Sequence, residues 1–555
     1  MENRKKIAGL LIILLIYFIR QFLLFKKGIL LNEEGFRLFV YWNIEQGSIL
    51  YKDIYFHSGI ISPYFYGLIF KLFGTELLYV RIAAIVLGGV CIIGLYAIAL
   101  ELMPVVWAAI GSFFAFHLFY MPFYEYGYLC SIPWNYFALY FIYRFVKDNY
   151  ELKFLLLSIF FGALSCLHNM YQEGAAINVS IVLALGYVLL IKKELKQNYK
   201  YLIYYSLGVI IIYILFYSYL LITVPFDKLL NGLFSFLRGR YPNPVSQFWI
   251  PNIFDIISYF PKNISLASLY LFAKRSYHLI LIHFPYVTFV IGLILTLRFR
   301  KKNIYLSFLI FLLAIFSILS SIRLILWYAT GSSDAFNLAP SIFLMVYFVY
   351  ILLNHLKEKI SQRYLRILYA FCILLTVGGY TILLVPNLNP KMGEMTLEVD
   401  GLKGIKVPKE YKELVYDAPE LMKKYLNEGE KYCSLESKDY LGYLAKRNNI
   451  FADDLFIFLP FRQYGIKYII PEEGYFPENK KIILDTLNEK KPKVILTETR
   501  YMENISQSFP ELIEYIQSNY DYVASFGKFD IEKYQEYWYE YEIMEVNFYI
   551  LKDLN

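Results

Sequence analysis

Arg4-Lys5-Lys6-Ile7-Ala8-Gly9-Leu10-Leu11-Ile12-Ile13-Leu14-Leu15-Ile16-Tyr17-Phe18-Ile19-Arg20-Gln21-Phe22-Leu23-Leu24-Phe25 sets three cations before an apolar run of about 19 residues. No small-residue cleavage site follows, so the segment reads as a first membrane span and not as a signal peptide. The rest of the chain repeats the pattern. Windows of comparable apolarity recur at about 75–100, 105–122, 132–146, 154–171, 175–191, 202–222, 278–298, 304–327, 336–353 and 366–385. Together they predict a polytopic α-helical membrane protein with about 11 spans.

Composition agrees. Of 555 residues, 58% are hydrophobic and 18% charged, with a mean hydropathy of +0.45. Soluble domains lie near 45–50% apolar and about 25% charged, so a cytosolic enzyme, a disordered hub and a collagen-like fibre are excluded. The net charge of +8 has its meaning in where the cations fall, and nucleic acid is not an expected partner. Of the five cysteines, Cys91, Cys130, Cys166 and Cys372 lie in apolar stretches. Only Cys433 is in a polar region, so no disulfide framework or CxxC metal site is available.

The positive-inside rule tests the count. With the amino terminus cytoplasmic, Arg4-Lys5-Lys6, Arg144 to Lys153, Lys192 to Lys200, Arg298 to Lys302 and Lys357 to Arg366 all fall inside. The first outer loop, with Lys26, Lys27, Arg37 and Lys52, is the dissenting segment. An odd number of spans leaves everything after about Pro386 outside. The expected division is therefore a transmembrane domain, 1–386, and an extracytoplasmic domain, 387–555. Two outer loops are long, 26–74 and 223–277. Their amphipathic stretches Ile60 to Phe73 and Leu229 to Phe236 are expected along the membrane surface. In the tail, helical patterns at Asn479 to Leu487 and Pro510 to Ser518 alternate with strand-like runs at Ile466 to Ile470, Val494 to Thr497 and Val546 to Leu551. They predict a small α/β domain.

Directly after the first span comes Asn32-Glu33-Glu34-Gly35-Phe36, two adjacent carboxylates at the expected outer surface. Neighbouring acids beside apolar surface push their pKa values apart, which suits one of them to act as a base; the bland alternative is a solvated loop pair. Then follow Gln46-Gly47, Tyr51-Lys52-Asp53, His57, Pro63-Tyr64, Tyr66-Gly67 and Phe70-Lys71-Leu72-Phe73-Gly74. In this order the stretch resembles the first periplasmic loop of the GT-C membrane glycosyltransferases. The nearest groups are the protein O-mannosyltransferases, the lipid A aminoarabinose transferases and the rhizobial lipopolysaccharide sugar transferases. The resemblance is specific over about residues 30–85. It is general over the chain, since that family likewise has about 11 to 13 spans before an outer soluble domain.

The resemblance implies an inverting transferase that moves a sugar from a polyprenyl-phosphate donor to an acceptor lipid, polysaccharide or protein. It would work in a bacterial cytoplasmic membrane and without a nucleotide. No cofactor is required by the sequence, although a divalent cation is compatible with it. In the family the acidic pair is usually Asp-Glu, with the Asp as base. Here that position holds Glu33, with Glu34 following it; a one-residue shift would put Asn32 there, which cannot abstract a proton. Phosphate clamps are sought among Arg238 and Arg240, Lys274 and Arg275, and Arg323 inside the ninth span, with Asp334 close enough in sequence to share its site; interfacial anchoring is the alternative for the first four, and a structural ion pair or snorkelling for Arg323. Asp53 and His57 are expected to position the first loop and not to react. His168 and Glu173 fall short of a metal-ligand set. A lipid-linked-sugar flippase and a noncatalytic assembly protein are the competing classes.

Overall fold

The computed structural model describes residues 2–29, 31, 33–56, 59–117, 129–167, 174–230, 233, 266–321, 338–357, 394–435, 439–453, 477–499, 502, 505–506, 509–527 and 545–552. Its helices begin with α1 (Glu2–Leu24), α2 (Glu33–Glu45), α3 (Ile61–Phe73), α4 (Leu77–Leu102), α5 (Val105–His117), α6 (Ile132–Lys147), α7 (Leu152–Cys166) and α8 (Ala175–Ile191). They continue with α9 (Lys200–Thr223), α10 (Leu266–Phe299), α11 (Ile304–Ser320) and α12 (Ala339–Lys357), then the tail helices α13 (Ala418–Tyr425), α14 (Asp439–Ala445), α15 (Pro477–Lys490) and α16 (Pro510–Asn519). A helix thus occupies ten of the eleven apolar windows; the last, 366–385, lies outside the described residues. Among the described residues three helical segments are long and apolar enough to cross a membrane by themselves: Glu2–Leu24, Leu77–Leu102 and Leu195–Thr223.

Two compact units emerge. One comprises Met1–Leu24, Ala84–Ser218 and Asn243–Asn389, the other Phe25–Ala83, Tyr219–Pro242 and Pro390–Asn555. The first long loop therefore belongs with the tail.

The first unit is a helical bundle with an inverted surface. In α1, Ile13, Tyr17, Gln21 and Leu24 form a buried stripe, while Leu11, Leu15, Ile19 and Phe22 are each more than half exposed. Apolar faces of this kind recur on α9, at Leu207, Ile211 and Leu215. They suit hydrocarbon and not water. Between helices, the polar groups pair with each other. Asn178 donates to the Gly162 and Gly174 carbonyls at 3.0 and 2.7 Å and accepts from the Tyr205 hydroxyl at 2.6 Å. Ser317 meets the Ser341 hydroxyl, and Tyr187 meets Ser307 at 2.8 Å. Such contacts join helices where apolar contrast with the surroundings cannot.

At one end of this bundle, Lys147 pairs with Glu101 at 2.6 Å. Lys192 lies 5.0 Å from the Tyr150 ring and 5.1 Å from the Tyr305 ring. The ends of α4, α6 and α8 and the start of α11 therefore gather together. Three of the basic clusters assigned to one side by the charge rule share that end.

In the second unit the described residues of the tail form a five-stranded sheet. Its strands are β3 (Lys431–Ser434), β4 (Asn448–Asn449), β5 (Val494–Glu498), β6 (Tyr520–Phe526) and β7 (Val546–Leu551), in the order β4-β3-β5-β7-β6. Strand β3 runs parallel to β4 and β5, with Cys433 opposite Ile495; β7 is antiparallel to β5 and β6, with Ile550 opposite Val494. Ile483 and Leu487 from α15 and Leu512 and Ile516 from α16 close its core over Cys433 and Ile495. Burial pushes the Cys433 thiol well above its ordinary range. A separate antiparallel pair, β1 (Glu394–Thr396) and β2 (Lys406–Pro408), precedes this sheet. The strand-like run Ile466 to Ile470 lies outside the described residues.

Candidate active site

The acidic pair opens helix α2. Glu33 is its first residue and Glu34 its second, and carboxylates in a first turn are favoured by the helix dipole. The Glu34 side chain is completely buried and meets Arg81, in the second turn of α4, which is itself 2% exposed. Arg81 Nη2 donates to both Glu34 oxygens at 3.0 Å, and Nε reaches Oε1 at 3.3 Å. Nη1 donates to the backbone carbonyls of Phe25 at 2.7 Å and Lys27 at 3.4 Å, just past α1, and Nη2 also meets that of Gly28 at 2.6 Å. A buried ion pair is tolerated only when its remaining polar groups are satisfied, and Arg is the side chain whose planar fork does this. One arginine therefore fixes the stretch Phe25 to Gly28, the start of α2 and the start of α4.

The tail completes the surroundings. Gly28 N donates to Lys406 O and Lys406 N to Lys26 O, both at 2.7 Å, so the stretch after α1 lies beside β2. Lys26 and Lys27 contribute backbone here. Glu76 accepts from Gly401 N at 3.1 Å and Lys403 N at 3.2 Å. The Tyr443 hydroxyl donates to Thr75 O, and its ring stacks on Phe70 at 6.3 Å.

Helix α2 packs on α14 at Gly35. A Cβ built there would come 2.2 Å from Tyr440 Cβ and 3.2 Å from its Cα, so the third residue of the helix must lack a side chain. Gly35→Ala is expected to destabilise the protein by about 2 kcal/mol or more, because the obstacle is not the tip of a flexible chain. Thermal unfolding in detergent checks this. A melting temperature equal to wild type would mean that α2 does not dock as described.

The expected site residues divide clearly. Glu33, Lys274 and Arg275 are described as backbone positions only, the last two on α10. His57, Arg238, Arg240, Arg323 and Asp334, like His168 and Glu173, lie outside the described residues. Asp53 is exposed and closes a turn: its Oδ2 accepts from Ile49 N at 2.9 Å beside Tyr51, whose φ is 65°. Its carboxylate thus has a local backbone partner. Among the described residues no group of three or more His, Cys, Asp or Glu is placed to hold a metal ion.

Sequence reasoning missed Arg81. The signal was present: an arginine inside the apolar window 75–100 has to find a partner, and the acidic pair is the natural one.

Neither a protein-family model nor a curated protein matches the sequence. Solved structures do. The apo oligosaccharyltransferase of Archaeoglobus fulgidus is similar at 13% identity, over 93% of this chain and 73% of that one, with a TM-score of 0.54. ArnT from Cupriavidus metallidurans, solved bound to undecaprenyl phosphate, is similar at 12% identity over 98% and 97%, with a TM-score of 0.51. At these identities the likeness speaks for the fold, and nearly the full length of both this chain and ArnT takes part in it. The chain shares its fold with these two membrane transferases.

Proposed function

We propose that the protein is an inverting glycosyltransferase that takes a sugar from a polyprenyl-phosphate donor and passes it to an acceptor at the outer face of a bacterial cytoplasmic membrane. The observation that carries this reading is the buried Glu34–Arg81 pair at the head of α2, in a chain of GT-C fold. It commits both oxygens of Glu34 to Arg81 and fixes the backbone of its neighbour. Glu33 is thereby the acid assigned as base, and Glu34 the acid that positions it.

In the proposed step an acceptor hydroxyl or amine gives its proton to Glu33 as it attacks the anomeric carbon. The new bond forms on the face opposite the phosphate. The carbon–oxygen bond to phosphate breaks, and polyprenyl phosphate leaves with the electron pair. Among Arg238, Arg240, Lys274, Arg275 and Arg323, cations would offset the charge on the departing phosphate, with Asp334 orienting Arg323. His57 would order the loop. Eleven spans, a cytoplasmic amino terminus and an extracytoplasmic tail belong to the same proposal. The bound undecaprenyl phosphate of the ArnT structure supports the donor class.

The test is release of free polyprenyl phosphate by the purified protein, given a panel of polyprenyl-phospho-sugars and an envelope extract as acceptor source. Release that depends on the extract is expected. No release from any donor, with the same protein moving labelled lipid-linked sugar across liposomes, would replace the transferase by a flippase.

A further inference from the structure

Lys446 follows α14 directly and has a φ of 56°, the left-handed conformation in which helix ends usually place Gly or Asn. The Arg447 N–H, donating to Gly442 O at 2.9 Å, closes the helix end around it. Its ammonium is turned into the unit. Nζ lies 4.2 Å from the centroid of the Tyr443 ring on α14 and 5.5 Å from that of Trp42 on α2. Among the described residues Nζ is buried and has no hydrogen-bond acceptor.

A strained backbone and a buried ammonium that meets ring faces and, among the described residues, no hydrogen-bond acceptor are two costs at one residue, and both fall where α2 docks on the tail. The charged groups facing it are Glu45 at the end of α2, Glu76 ahead of α4, Asp400 in the turn between β1 and β2, and Lys423 on α13. Burial lowers the Lys446 pKa to about 8, against the pull of the three carboxylates.

We infer that Lys446 is a proton-controlled positioning residue: protonated, it biases the contact between α2 and α14 toward opening, and on losing its proton it lets α2 seat fully on the tail. The sign follows from linkage. Opening returns the amine to water, where it binds a proton more tightly. The open form is therefore favoured while the closed amine is charged, and the bias fades as pH rises from about 8 toward the ordinary lysine value near 10.4. Because α2 begins at the acidic pair, the device would set how firmly the proposed base is held. In that respect it rests on the reading of Glu33.

Hydrogen–deuterium exchange of peptides spanning residues 33–45 and 439–447, corrected for intrinsic exchange and followed from pH 6 to 10, tests this without any turnover. A failed transferase assay and a failed switch are therefore separate results. In the wild type, protection is expected to rise about 10- to 100-fold across that range. In Lys446→Met it should be high and flat; in Lys446→Arg, whose guanidinium stays charged, low and flat. A wild-type profile running parallel to that of Lys446→Met would overturn the inference, whether or not the arginine variant folds.

Discussion

Arg81→Met is expected to destabilise the protein by about 3–5 kcal/mol, enough to remove most of the folded material at physiological temperature. The change strands the Glu34 carboxylate without its cation at a position with no exposure to solvent. It also releases the carbonyls of Phe25, Lys27 and Gly28. Glu34→Gln should cost clearly less, because an amide still accepts from the guanidinium and the three carbonyls keep their donor. Arg81→Lys should fall between them, since an ammonium keeps the charge and loses the fork. The order Met, Lys, Gln in falling severity, read from the yield of monodisperse protein and its melting temperature, is the signature of a clamp. Equal losses for Arg81→Met and Glu34→Gln would show that the pair acts only as a pair and that the carbonyl contacts contribute nothing.

The second large effect separates chemistry from support. Glu33→Gln is expected to lower kcat by about 100- to 10,000-fold, the range a positioned general base supplies, while leaving the melting temperature close to wild type. Glu33→Asp should recover part of the rate. Glu34→Gln should show the reverse pattern, reduced stability with a rate per folded molecule nearer to wild type. Polyprenyl phosphate release, normalised to folded protein, measures both. Should Glu33→Gln turn over normally, the base is another group and the acidic pair is support alone.

Much of the bundle was legible because membrane spans announce themselves by length and apolarity. Ten windows hold helices, and the strands at Val494–Glu498 and Val546–Leu551 and the helices at Pro477–Lys490 and Pro510–Asn519 lie where period and propensity put them. What escaped had physical reasons. Helix α2 was expected as loop: Phe36 to Asn43 are all buried, so it lacks the one-sided stripe that reveals a surface helix. Strand β6 lies at the sheet edge, and Asp521, Tyr522 and Val523 are all exposed, which leaves no alternation to read. The acidic pair could be found but not apportioned. The proposed division of roles rests on Arg81, 47 residues from Glu34 in sequence, and no local pattern carries such a pairing.

The way the second unit is stitched together has a consequence for synthesis. The Tyr443 hydroxyl and its acceptor at Thr75 are separated by 368 residues, and the strand beside Lys27 comes from Lys406. At about 5–20 residues per second, a ribosome leaves the first loop without these partners for roughly 20 to 70 s. During that interval the stretch after α1 and the face of α2 destined for α14 have nothing to pair with. A nascent chain halted before residue 390 would carry the acidic pair yet lack the tail that holds it in place. Quality control acting on such chains would find its handle in the first loop, and a stop codon late in the coding sequence would be felt at its very beginning.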